Sequence, residues 1–403
     1  MVNILLLIGI AVLLGFIGGK YIERVKSPQV VGFILMGFIL GSLGLKIFDT
    51  APIALVEQLD IISYVALAFI GFDVGGEMTI KLFKKLGKSI VVITILEALG
   101  AFILVASAVF LYTKQMPTAL IFGGLACATA PAATVLVLRE YKASGPLTST
   151  LFAVVALDDA IAIILYSFAS AFSKNFIENG SISFSKIAII PAKEIFGSLV
   201  LGLLIGAVFS RVVLRMHDPN ELIIVAFGAI LVCSGLALQY GFSLILANMA
   251  LGMTLVNLLH GDKTAFNSVM QMAPPIYIIF FFLVGARLQI SSFSQIHLWG
   301  LMLIYIAFRI SGKMLGSFIG ARLSGAEENI QKYLGLCLLP QGGVAVGLSI
   351  QALQEFSAFP SGRELGLLAV TVIAATTFVL ELIGPPSTRY AIIKAGESNV
   401  EKY

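Results

Sequence analysis

Charged side chains are scarce in this chain, 12% of its 403 residues and about half the share of an ordinary soluble domain. That scarcity excludes a solvated globular surface. Cysteine and histidine are rarer still, at three each. Cys127, Cys233 and Cys337 each stand alone in an apolar stretch, and His217, His260 and His297 are scattered without ligand spacing, which excludes a disulfide framework and a His/Cys metal centre. There is no glycine-rich loop of the kind that cradles phosphate and no pairing of nucleophile with base, so neither nucleotide binding nor covalent catalysis is expected. Long polar stretches are missing too, leaving no room for a soluble domain.

What remains is apolar: 59% of the residues are hydrophobic, and the mean hydropathy is +1.01. Runs of about 20 residues, the length that crosses a hydrocarbon core, recur from end to end. The expected fold is an all-α polytopic membrane protein, a single membrane domain over 1–403 that sits in the lipid bilayer. Thirteen spans are predicted: 2–20, 28–45, 59–79, 89–112, 117–138, 147–173, 188–214, 220–240, 242–260, 267–288, 296–321, 331–354 and 363–385. The first lacks a basic leader and an A-x-A-like cleavage site, and reads as a retained helix. Counted with the residues at the adjoining span ends, odd-numbered links and the tail carry 17 Lys and Arg against 6 in even-numbered links, which predicts an external N-terminus and a cytoplasmic C-terminus. The net charge of +4 therefore reports topology, and no nucleic-acid partner is expected.

An internal repeat organises the spans. Both the fifth, LIFGGLACATAPAATVLVLREY, and the twelfth, YLGLCLLPQGGVAVGLSIQAL, are interrupted by proline, and Pro131 and Pro340 stand 209 positions apart. A similar offset lays AFIGFDVGGEMTI (68–80) onto IFFFLVGARLQI (279–290), and GFILMGFILGSLGL onto ANMALGMTLVNLL. Six spans thus repeat after a seventh, linking one: a first repeat over 1–173, a linking helix over 188–215, a second repeat over 220–388 and a short cytoplasmic tail over 389–403. Because seven is odd, the second copy enters the membrane from the opposite side. This predicts two inverted six-helix repeats with crossed broken helices, an architecture in which interrupted spans point to a midplane site. Thr129 beside Pro131, and Gln341, Gly342 and Gly343 after Pro340, suit close crossing and the satisfaction of freed backbone groups.

The sixth span holds two neighbouring aspartates, Asp158 and Asp159, in ALDDAI. A carboxylate at the centre of a bilayer costs roughly 2.5–3.5 kcal/mol, so such residues are read first as functional. Adjacent positions differ by about 100° around a helix, so the two face different surroundings. Arg309 and Lys313, four residues apart in the eleventh span, share one face and are candidate partners for Asp158. The pair reads as a proton-titratable anion with a cationic counterweight. Asp73 and Glu77, in GFDVGGEM, read more as helix-end charges. Glu97 and Glu381 lie deeper, and either suits a structural pairing with Arg309 or Lys313.

With these residues in view, the chain resembles the monovalent cation/proton antiporter superfamily, in its bacterial Nap and Kef branch. SPQVVGFILMGFILG, ATAPAATVLVLREYKASGPLTSTLFAVVALDDA, LILANMALGM, FRISGKMLG, LPQGGVAVGL and ELIGPP with a terminal KAGE carry the resemblance. It implies a homodimer, each subunit with a dimerisation domain and a six-helix core that moves like an elevator. It also implies that Asp159 is the essential cation and proton site, that Asp158 pairs with a basic residue of the eleventh span, and that Thr129 sits near the ion. The expected activity is exchange of sodium, or of lithium or potassium, for protons, with no enzyme chemistry and no cofactor beyond the transported ions. Two alternatives are a Kef-type potassium/proton antiporter and a sodium-coupled organic anion symporter of the same architecture. An intramembrane aspartyl protease is disfavoured because the two aspartates adjoin on one helix instead of facing each other across two.

Overall fold

The computed structural model describes residues 4–24, 29–41, 60–80, 87–130, 134, 137–138, 141–179, 184–214, 216, 218–259, 264–286, 296–359 and 362–399. Among the described residues there is no strand. Pro131, His217 and His260 and most of the basic run KLFKKLGK lie outside them. The helices are α1 (Ile4–Arg24), α2 (Gln29–Ile39), α3 (Asp60–Glu77), α4 (Lys88–Thr113), α5 (Met116–Leu125), α6 (Pro146–Asn179), α7 (Phe184–Val213) and α8 (Pro219–Tyr240). They continue as α9 (Leu244–Leu258), α10 (Thr264–Met270), α11 (Ala273–Ala286), α12 (Ile296–Leu323), α13 (Glu328–Cys337), α14 (Gly343–Phe356) and α15 (Gly362–Ala395). Among the described residues seven helices are long and apolar enough to cross a bilayer, and α2, α3, α5, α9 and α11 are shorter apolar helices.

Local chemistry sets several of these limits. Asp218 accepts from Asn220 N at 2.9 Å and, with Pro219 following, starts α8; Gly241, at φ 67°, ends it. The twelfth predicted span divides into α13 and α14, because Pro340 has no N–H to donate and its ring crowds the turn before it. The fifth is helical as α5 and leaves the helix before Ala128–Ala130; beyond the break, Thr134, Val137 and Leu138 are again helical. Residue 130 precedes a proline and is steered away from helical geometry.

The helices pack into two groups. In one, α2 lies against α1 and α11, α3 and α7 against α9, and α8 beside α9 and α10. In the other, α4 packs along α12, α5 against α4 and α6, and α13 and α14 against α15. The α4–α12 contact is the closest-knit. Gly312, Gly316 and Gly320, one turn apart on α12, meet the backbone of α4, and a Cβ on Gly316 would fall 2.6 Å from Glu97 Cα. Only glycine allows that approach. It draws Lys313, on the adjacent face of α12, over the carboxylate of Glu97.

Candidate functional site

The two interruptions cross. Ala130 N donates to Pro340 O at 3.0 Å, joining the unwound stretch after α5 to the one between α13 and α14. Unwound backbone in a membrane leaves carbonyls without helical partners, each needing a donor. Arg309 supplies donors to both: Nη1 donates to Leu339 O at 2.7 Å, and Nη2 to Ala128 O at 2.7 Å and Pro340 O at 3.3 Å. Gln341 Nε2 donates to Leu125 O at 2.9 Å and lies 2.8 Å from the Tyr305 hydroxyl. Thr134 Oγ1 donates to Cys337 O at 3.1 Å. A side chain on Gly342 would meet Ala130 Cβ at 2.9 Å and Glu381 Oε1 at 3.3 Å, so the break needs glycine there and brings the Glu381 carboxylate up to it.

Beside the crossing, Lys313 is wholly buried between two carboxylates. Its Nζ stands 2.6 Å from Glu97 Oε2 and 3.2 Å from Asp158 Oδ1, and it also donates to Cys127 O in the unwound stretch. The two basic residues of α12 have therefore divided their work: Lys313 meets Asp158, and Arg309 meets backbone. Arg309 acts on Glu381 only through its charge. Glu97, read from sequence as a structural partner of one of these cations, forms with Asp158 and Lys313 an ion triad across α4, α6 and α12. Charges buried this deeply persist only when paired and hydrogen-bonded.

Asp159 is placed differently. It is 8% exposed, and its Oδ1 is buried with no hydrogen-bond partner among the described residues. Thr129 Oγ1 is likewise buried and unpartnered, close enough to Asp158 to act on it but without hydrogen-bond geometry. Asp73, read from sequence as a helix-end charge, stands on α3, near enough for its charge to be felt at Asp159 and at the Tyr277 hydroxyl of α11. Pro131, the proline expected to interrupt the fifth span, lies outside the described residues, so the break is defined here by Ala128–Ala130 and Pro340. Gly343 opens α14.

A sequence profile described as "Sodium/hydrogen exchanger, transmembrane" matches residues 8–387. The chain is 24% identical over 401 residues to the Na(+)/H(+) antiporter NhaH of Halobacillus aidingensis, covering 94% of each. It is 24% identical over 361 residues to the ammonium/H(+) antiporter subunit AmhT of Alkalihalophilus pseudofirmus, covering 88% of this chain and 87% of that one. The fold is similar to the sodium proton antiporter MjNhaP1 of Methanocaldococcus jannaschii at pH 8, with a TM-score of 0.79 at 19% identity, over 97% of this chain and 98% of that one.

Proposed function

Because the chain belongs to the sodium/hydrogen exchanger family, we propose that it is a secondary antiporter in which sodium and protons compete for the carboxylate of Asp159. The observation that carries this reading is the division between the two aspartates. Asp158 is held by Lys313, whereas Asp159 Oδ1 has no partner among the described residues, so Asp159 keeps an oxygen for a mobile cation. Thr129 Oγ1 is a second oxygen of the same surroundings without a partner. Asp158 contributes charge, and Lys313, Arg309 and Glu381 set the local balance.

The site belongs to a mobile core. Helices α4, α5, α6, α12, α13 and α14 with α15 form one packed group and carry every residue of the crossing, while the other group borders it. That division supports elevator-type alternating access, in which a packed group moves against a fixed one. Two inverted repeats generate the groups. Under the sequence offsets, Gly75 matches Gly285 and Gly37 matches Gly252. A side chain on Gly75 would strike Met249 O and one on Gly252 would strike Phe72 O; correspondingly, one on Gly285 would strike Ile34 O and one on Gly37 would strike Phe282 O. Each contact of the first pair has its counterpart in the second when the halves are exchanged, as a two-fold axis requires. The basic links put the N-terminus outside and the C-terminus in the cytoplasm, and the assembly is a homodimer.

The test is exchange in proteoliposomes carrying a proton gradient, with sodium, lithium, potassium and ammonium added in parallel. Sodium is expected to dissipate the gradient, and Asp159→Asn to abolish the response while the protein stays folded. Full sodium-driven exchange by a folded Asp159→Asn protein would overturn the assignment of Asp159. An organic anion symporter would need an organic co-substrate, so exchange driven by sodium alone separates the two activities.

A further inference from the structure

Fifteen residues beyond Asp159 on α6, about 22 Å along the helix at 1.5 Å per residue, stands a second buried group of charges. Lys174 Nζ lies 3.2 Å from Glu355 Oε2 of α14 and 3.5 Å from Glu194 Oε1 of α7. Glu355 also accepts from Ser170 Oγ and from Gln351 Nε2, the latter at 2.5 Å. The Glu194 side chain is 7% exposed and that of Glu355 16%. These groups line a cavity of about 180 Å³ whose remaining wall includes Tyr64 and Phe242.

Two features of the cavity call for a ligand. With both carboxylates ionised, the two of them against one ammonium leave one negative charge uncompensated within the group. Gln351 is 5% exposed and lines the cavity, and its Oε1 has no hydrogen-bond partner, since its amide nitrogen is turned to Glu355; Gln354 Nε2, in the same lining, is an unpartnered donor that water bound to the ion can meet. A buried oxygen without a donor beside an uncompensated carboxylate is a receptor for a cation. The donors are hard oxygens, which exclude a thiophilic metal, and a single surplus charge matches a monovalent ion better than calcium or magnesium, which want more carboxylate and more oxygens.

We infer that the Lys174–Glu194–Glu355 cavity is a second monovalent-cation site, distinct from the Asp158–Asp159 site, with Gln351 Oε1 and the two carboxylates as its ligands. It takes an alkali cation. Glu194 stands on α7, at the border of the two packed groups, whereas Lys174 and Glu355 stand on the core, so an ion held here bridges the groups. The topology proposed above puts this end of α6 on the external side; the binding itself does not depend on that topology.

The experiment is thermal melting of the purified full chain against sodium chloride, with choline chloride at equal ionic strength as the control, in an Asp158→Asn/Asp159→Asn background. A ligand that binds only the folded state raises the melting temperature with its concentration. Sodium is expected to go on raising it in this background, and adding Glu355→Gln is expected to remove the rise. Gln351→Met, which deletes the unpartnered oxygen and keeps the bulk, should raise the half-maximal sodium concentration at least fivefold, and it stands in if the glutamate variant does not fold. The site is disproved if the double-aspartate protein shows no sodium-specific rise, or if the rise survives both Glu355→Gln and Gln351→Met. Failure of wild-type exchange with an intact sodium-specific rise would sink the transport reading and leave this site standing.

Discussion

Lys313 is the residue on which the site turns. Its ammonium answers two buried carboxylates, so Lys313→Met strands Glu97 and Asp158 in a low-dielectric interior, and breaking such a pairing typically costs about 3–5 kcal/mol. The melting temperature of Lys313→Met should fall well below that of the wild type, and restoring it by also changing Glu97→Gln would trace the loss to the stranded charge. Lys313→Arg keeps the charge but removes a group that can release a proton, because a guanidinium stays protonated in proteins. If Lys313 hands over the second proton of a two-proton cycle, wild-type exchange responds to an imposed membrane voltage and Lys313→Arg exchange does not. Initial rates in proteoliposomes clamped with potassium and valinomycin decide this. The aspartate pair and the shared face of Arg309 and Lys313 could be read from sequence, because both follow from helical spacing. Which cation meets Asp158 could not. That depends on where two unwound stretches leave their carbonyls, and Arg309 is taken up by three of them.

At the level of elements, the distance between α4 and α12 governs whether the triad exists. Gly316→Val would press a branched side chain onto Leu96 O and Glu97 Cα, and overpacking of this kind typically costs about 1–3 kcal/mol. The expected result is a lower melting temperature together with weakened exchange, because Glu97 moves away from Lys313; unaltered exchange at a lowered melting temperature would show the triad to be independent of this contact. The break in the twelfth span was legible from Pro340 and its following glycines. Helix limits in the fifth span were not, since local sequence marks a proline there but not that the helix ends as early as Leu125.

Across the whole molecule, distant parts of the chain close the structure. Glu397 accepts from Leu147 N, Thr148 N and Thr148 Oγ1, each at 2.7 Å, and so caps the start of α6 from 250 residues away. A carboxylate suits a helix N-terminus because free N–H groups and the positive end of the helix dipole face it. Glu397→Ala should lower the melting temperature by the loss of a cap, about 0.5–2 kcal/mol, while leaving Asp159 chemistry intact. An unchanged melting temperature would show the tail contact to be incidental. The terminal KAGE brings Glu397 into the family resemblance but does not say which helix it caps, and nothing in the sequence links Lys174 to Glu355. Such partners are set by tertiary packing, which hydropathy does not encode.

The Lys313–Asp158 bridge joins positions 155 residues apart, and this fixes an order of events during synthesis. A ribosome adding about 5–20 residues per second makes Asp158 roughly 8–31 seconds before Lys313. Through that interval α4 and α6 enter the bilayer with Glu97, Asp158 and Asp159 and no lysine or arginine of α12 to meet them. The nascent first half is therefore an acidic, incomplete bundle that must be held, by water at its centre or by protonation, until α12 arrives. Two separately expressed pieces divided at the link before α8 should accordingly accumulate only when made together, each supplying the charges the other cannot shelter.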